Sequence, residues 1–285
     1  MDIQRVVSVE NMRKSDAHTI AKHTTSAELM HKAAMGIFNA VQFTGKVAIV
    51  CGSGNNGGDG YALACILCQH SIIPTIFRVS EKFSKDGLYY YKTALSLGAE
   101  EASINTPSPF TGYDIIVDCL LGTGFKGEVQ GEVLKAIEHI NTSSSYIISA
   151  DINSGINGDT GKADIAVNSD LTVSIGAYKT GMFLNDAPYY IGSMVNADIG
   201  IHFVKDEYNM IDYSHLHFFS GYGSEVMTTE EFFQKYNYDS QNCNIAQCVF
   251  ELSQNLRKTV VVTTEHSAII ADLKYVYFCA DYAKL

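Results

Sequence analysis

Residues 46–61, KVAIVCGSGNNGGDGY, constrain the fold more than any other part of the chain. Val47 to Cys51 form a short apolar run, the pattern of a parallel strand covered on both faces. A polar, glycine-dense segment follows, GSGNNGGDG (52–60), and Tyr61-Ala62-Leu63-Ala64-Cys65-Ile66-Leu67 then resumes with small and aliphatic residues at helical spacing. A strand, a glycine loop and a helix start in that order build an anion site. Glycines let backbone N–H groups approach a phosphate, and the helix dipole favours negative charge there. The bland alternative is a tight strand-to-helix turn with no ligand.

The segment satisfies Gly-x-Gly-x-x-Gly through Gly52, Gly54 and Gly57. An ordinary nicotinamide dehydrogenase, however, needs an acidic residue at the end of the next strand to hold the ribose hydroxyls, and Pro74-Thr75-Ile76-Phe77-Arg78-Val79 offers none. Two asparagines, a second Gly-Gly and an aspartate also exceed what phosphate cradling needs.

Further along, the spacing predicts helices over 9–20, 27–43, 85–97 (with apolar Leu88, Tyr91 and Leu95) and 131–140, and strands over 73–79, 113–118, 146–151, 171–175 and 193–199. Short apolar strands alternating with helices make a doubly wound α/β sheet, in which ligands bind outside the carboxyl ends of the strands. That rule gathers three loops at one edge: 52–60, 118–128 and 151–155. Each carries a carboxylate beside glycine or a small polar residue. Any one such aspartate could be a helix cap; three at one crevice favour a site.

The 285 residues suffice for one large domain or a domain plus an extension. An apolar fraction of 46% is that of a globular protein, and a net charge of −11 argues against nucleic acid and anionic membrane surfaces as partners. Seven cysteines, an odd number scattered through apolar runs, suit buried thiols in a reducing, cytoplasmic setting. Cys65 and Cys68 form a C-x-x-C with no second pair to complete a zinc site. No apolar run approaches the ~20 residues that span a bilayer.

Together GSGNNGGDG (52–60), VDCLLGTGFKGEV (117–129), DINSGINGDTG (151–161) and GAYKTG (176–181) resemble the YjeF N-terminal family of NAD(P)HX epimerases over about residues 1–203. The resemblance implies a three-layer α/β/α sandwich with a Rossmann-like, mostly parallel sheet. It also implies interconversion of the R and S forms of hydrated NADH and NADPH (NADHX and NADPHX), a homodimer and a bound K+. Position by position, it makes Asn55, Asn56, Gly57, Gly58 and Asp59 substrate contacts, with Asn56 also a potassium ligand. It makes Asp118 and Ser154 further potassium ligands, Gly122, Thr123, Gly124, Phe125, Lys126, Gly127 and Glu128 a substrate loop, and Asp151 a substrate contact. Oxygen donors of these types suit a hard cation.

Epimerisation at the hydrated ring carbon needs proton transfer in both directions. A shielded strand-end carboxylate suits that work, which points to Asp151, with Lys126 as its partner, as a phosphate contact or as a solvated loop lysine. Two departures stand out. Leu29-Met30-His31-Lys32-Ala33-Ala34 replaces the family's Leu-Met-Glu-Arg-Ala-Gly, and Asn153 replaces a proline in Asp151-Ile152-Asn153-Ser154-Gly155. The remainder, 204–285, reads as a small α/β extension: a connector over 206–222, a capped helix start at 227–233, a helix over 245–256, a strand over 259–263 and a hairpin from Ala268 to Phe278. It weakly resembles a fragment of the ADP-dependent dehydratase, without that enzyme's anion site or catalytic aspartate. The competing function is a non-catalytic nucleotide-binding or dimeric scaffold module of the same fold. Retention of Asp118, Asp151 and Ser154 favours the enzyme.

Overall fold

The computed structural model describes residues 4–210, 223–238 and 243–280. The chain enters through a short strand β1 (Gln4–Val7) and two helices, α1 (Val9–Lys22) and α2 (Ser26–Ala40). It continues as β2 (Val47–Cys51), α3 (Asn55–Gln69), β3 (Thr75–Arg78), α4 (Lys85–Ser96), β4 (Glu100–Ala102), β5 (Ile115–Cys119), α5 (Gly131–Asn141), β6 (Tyr146–Ala150) and β7 (Ser169–Ile175). After β8 (Tyr178–Lys179), a 3-10 turn (Thr180–Phe183), α6 (Ala187–Tyr190) and β9 (Ile191–Ala197) come β10 (Tyr208–Met210), β11 (Glu225–Thr228), α7 (Thr229–Tyr236), α8 (Ile245–Leu256), β12 (Val260–Thr263), β13 (Ser267–Ala271) and β14 (Val276–Ala280).

The first sheet runs β4-β3-β2-β5-β6-β7-β9, with every pair parallel. The two-residue period of its strands divides them between two helical layers. Ile49, Cys51, Val117, Ile148 and Val173 pack with α2 and α3, whereas Ala48, Val50, Ile116 and Ile147 pack with Ala136, Ile137 and Ile140 of α5. This is the expected three-layer sandwich. From β2 the chain winds outward to β3 and β4, then returns to the other side of β2 as β5. The switch point therefore lies between β2 and β5, where doubly wound sheets open a crevice.

The second sheet runs β11-β12-β13-β14-β10-β1-β8. Its β1 is antiparallel to β10 and parallel to β8, so residues from both ends of the chain share it. Val6, Ile152, Ile156 and Phe183 join Phe232, Val249, Val262 and Phe278 in one buried cluster. The expected helix at 245–256 and the hairpin are present, but β1, β4, β8, β10 and β11 are not foreseen from the sequence. Residues 211–222 of the connector lie outside the described residues.

Two expectations need correcting. Helix α3 begins at Asn55, so the asparagines and the second Gly-Gly form its first turns instead of a loop. On α4, Leu88 and Leu95 are exposed, and the buried side is made by Gly87 and Ala94 with Tyr90 and Tyr91 partly covered. Among the described residues no helix is long and apolar enough to cross a membrane. Among the described residues none of the seven cysteines forms a disulfide; burial pushes the Cys65 thiol up to about 12 and raises Cys68, the reverse of an activated thiolate.

Candidate active site

A cavity of about 740 Å³ opens at the switch point. Its walls come from α1, α2, the first turns of α3, the loop after β5 and the end of β6. Asn55, Asn56, Asp59, Gly122, Thr123, Gly124, Phe125 and Asp151 line it. Gly57 and Gly58 do not. They are buried in the packing of α3, where a side chain on Gly57 would strike the Gly52 carbonyl and one on Gly58 would strike Met30. Lys126, Gly127 and Glu128 are exposed and stand outside the lining.

Asp118 and Ser154 lie beneath the floor, fully buried. The Asp118 carboxylate accepts from Ser154 Oγ at 2.5 Å, Ser154 N–H at 2.9 Å, Ser149 Oγ at 2.9 Å and Leu120 N–H at 3.1 Å. Burial raises its pKa, and the Ser154 bonds lead the opposing pull. Ser154 Oγ also accepts from Leu121 N–H at 2.8 Å, and Asn56 Nδ2 donates to the Leu121 carbonyl at 2.9 Å. These bonds join Asn56, Asp118 and Ser154 into one network. Asn56 Oδ1 is buried with no hydrogen-bond partner among the described residues. A buried acceptor of that kind costs about 1–3 kcal/mol unless something else binds it. Among the described residues there is no cluster of three His, Cys, Asp or Glu able to hold a metal, so any cation here rests on amide, hydroxyl and carbonyl oxygens plus one carboxylate.

Asp151 adopts φ = +69°, in the left-handed region that aspartate tolerates better than most residues, while its N–H donates to the Val173 carbonyl at 2.8 Å. One carboxylate oxygen is ion-paired to the Lys179 ammonium; the other accepts from Thr123 N–H at 3.4 Å. Lys179 is wholly buried. It also donates to the Ile175 carbonyl at 2.9 Å and to Ser174 Oγ at 3.2 Å, so its three N–H bonds are all engaged. Of the readings open for Lys126, that of partner to Asp151 does not match the structure: Lys179, delivered by β8, makes the ion pair. Gly122 sits tightly in the site: a Cβ there would come to 3.3 Å from both the Asn56 Cβ and the Asp151 carboxylate.

Two further carboxylates face the cavity. Asp16 projects from α1, its pKa pushed up to about 6 by burial and then by the Asp151 charge, against the pull of Lys179. Asp59 is pushed well above the usual carboxylate range by burial, then by Asp151 and Asp16. The mouth carries Ser53, Gly54 and Asn55, with Arg13 and Lys85 among the other lining residues. No side chain caps α3 at Gly54, which leaves its first N–H groups available to an anion.

Sequence reasoning missed Lys179, Asp16, Arg13 and Lys85. For Asp16 a signal existed: Val9, Met12, Asp16 and Ile20 fall on one helical face, so the acid sits within an apolar stripe.

The model for YjeF-related protein N-terminus matches residues 26–181, more than half of the chain. The bifunctional NAD(P)H-hydrate repair enzyme of Coxiella burnetii is 31% identical over 201 residues, 67% of this chain and 40% of its own length. The chain thus spans about two fifths of such relatives. The NAD(P)H-hydrate epimerase of Oenococcus oeni is 30% identical over 69% of this chain and 97% of its own length; that of Limosilactobacillus fermentum is 27% identical over 68% and 97%. Among solved structures, the yeast protein ynu0 superposes with a TM-score of 0.58 at 20% identity, covering 66% of this chain and 87% of its own. With a matching family model over more than half its length and the sandwich the motifs imply, the chain belongs to the YjeF-related N-terminal family.

Proposed function

We propose that this protein is an NAD(P)H-hydrate epimerase, an isomerase that interconverts the R and S forms of NADHX and NADPHX. The observation that carries this reading is the buried Asp151–Lys179 pair at the floor of a cavity whose mouth is an uncapped helix N-terminus. Coverage of 97% of the length of relatives bearing that activity in their names supports it. Arg13, Lys85 and the first N–H groups of α3 suit the phosphates of a dinucleotide. The nicotinamide end then faces Asp151, Asp59 and Asp16.

Loss of the hydroxyl from the hydrated carbon leaves a cationic ring. Asp86 and Asp151 in the lining, with Asp16 where it is ionised, favour that charge. Lys179 fixes one oxygen of Asp151 and leaves the other beside the 122–123 loop, where it exchanges a proton with the hydroxyl. Lys126, at the exposed end of that loop, retains the phosphate-contact role. Residues 1–203 supply every group in this scheme, and 204–285 form an appendage.

Asn56, Asp118 and Ser154 fit a potassium ion, since Asn56 Oδ1 is a buried acceptor without a partner and the donors are hard oxygens. Bound there, the ion would offset the Asp118 charge. A homodimer and a cytoplasmic location complete the reading. The test is the rate at which purified R-NADHX equilibrates with its S epimer, with and without protein, in potassium and in a large organic cation. Acceleration that depends on potassium is expected. No acceleration, with dinucleotide binding intact, would favour the scaffold module.

A further inference from the structure

Asp16 is half-buried and has no structural return for that. Among the described residues no group donates a hydrogen bond to its carboxylate or forms an ion pair with it. The charged groups around it are Arg13 on its own helix, Asp59 of α3, Asp151 at the end of β6 and Lys179 of β8. An unpaired carboxylate on the apolar stripe of α1 is a cost, and the cavity is what it faces.

Inversion at the hydrated carbon removes a hydroxyl from one face of the ring and sets one on the other. On the first face a carboxyl gives its proton to the hydroxyl, the C–O bond breaks, water leaves and the ring nitrogen's lone pair forms the iminium. On the opposite face a water forms the new C–O bond and gives its proton to a second carboxylate. One proton enters and one leaves, and nothing is oxidised or reduced. Two faces require two groups on different walls, as in hydrolases that invert configuration. Asp151 stands on β6 and Asp16 on α1.

We propose that Asp16 is the second proton-transfer group of the epimerisation, serving the ring face that Asp151 does not; the assignment rests on the epimerase reading. A carboxyl that titrates near 6 both gives and takes a proton readily at neutral pH, and Asp16 presents it from the α1 wall of the cavity.

The experiment follows R-NADHX in 18O-water with wild-type protein and D16N, measuring inversion by chiral separation and 18O uptake into the unchanged R epimer by mass spectrometry. D16N is expected to lower inversion roughly 100-fold while exchange with retention, which needs Asp151 alone, falls less than about tenfold. D16E is expected to restore part of the inversion, and it is judged by the same ratio should D16N fail to fold. Inversion within about threefold of wild type, or inversion and exchange falling by the same factor as a structural role would give, overturns the proposal. Wild-type protein that accelerates neither process defeats the epimerase reading and this assignment with it.

Discussion

Lys179 spends its whole side chain in the interior to hold one oxygen of Asp151. Removing one partner of such a pair costs about 3–5 kcal/mol when the other is left sealed; Asp151 keeps some contact with the cavity, which places K179M nearer 2–4. Urea unfolding should show that loss, and the epimerisation rate should fall at least about 100-fold. Asp16 acts in the opposite sense on stability. Its folded pKa lies above its unfolded one, so the folded state binds its proton more tightly, and stability falls as pH rises from about 4 to about 6. D16N should therefore be more stable than wild type above pH 6, by roughly 1–3 kcal/mol, and equal to it below pH 4. Thermal melts at the two pH values test the sign. Asp118 and Asp151 were legible because each ends an apolar run. Lys179 was not, because the burial of GAYKTG depends on β8 pairing with Val6 and Val7 at the far end of the sequence.

Among the elements, α3 best explains the run of glycines that first marked the sequence. A methyl at Gly60 would lie 2.8 Å from Cys51 Sγ and 2.9 Å from Cys119 Cβ, so this helix lies directly on β2 and β5 where the cavity opens. G60A should cost about 1–3 kcal/mol by overpacking, read as a lower denaturation midpoint. The strands of the parallel sheet and most helices were legible from apolar runs and caps; Thr25 and Glu28, for instance, form a reciprocal capping box on α2. The unforeseen strands are two to four residues long. Over that length period-two alternation carries almost no signal, and pairing partners decide the conformation. The misjudged face of α4 has a related cause: Gly87 and Ala94 are buried because neighbouring helices come close, which favours small residues over the larger Leu88 and Leu95.

At the scale of the molecule, the second sheet ties the extension to the site. Phe278 of β14 is wholly buried, 5.5 Å from the rings of both Phe183 and Tyr208. Phe183 lies in the turn that follows Lys179. F278A should cost about 3–5 kcal/mol and also slow epimerisation, although it is remote from Asp151; unfolding midpoints and turnover measured on the same preparation would show both. The sequence reading sets a boundary near residue 203, but the second sheet joins β1 and β8 to β10–β14 across it, a pairing that no local pattern announces.

That borrowing sets an order of events during synthesis. Residues 4–7 leave the ribosome well before their partners, Tyr178 and Lys179 on one side and 208–210 on the other. At about 5–20 residues per second, they wait roughly 10 to 40 seconds for them. Until then α1, bonded to that later segment through Ser8 and Glu207, has no fixed seat, and the wall that carries Asp16 closes only after the rest of the cavity has been made.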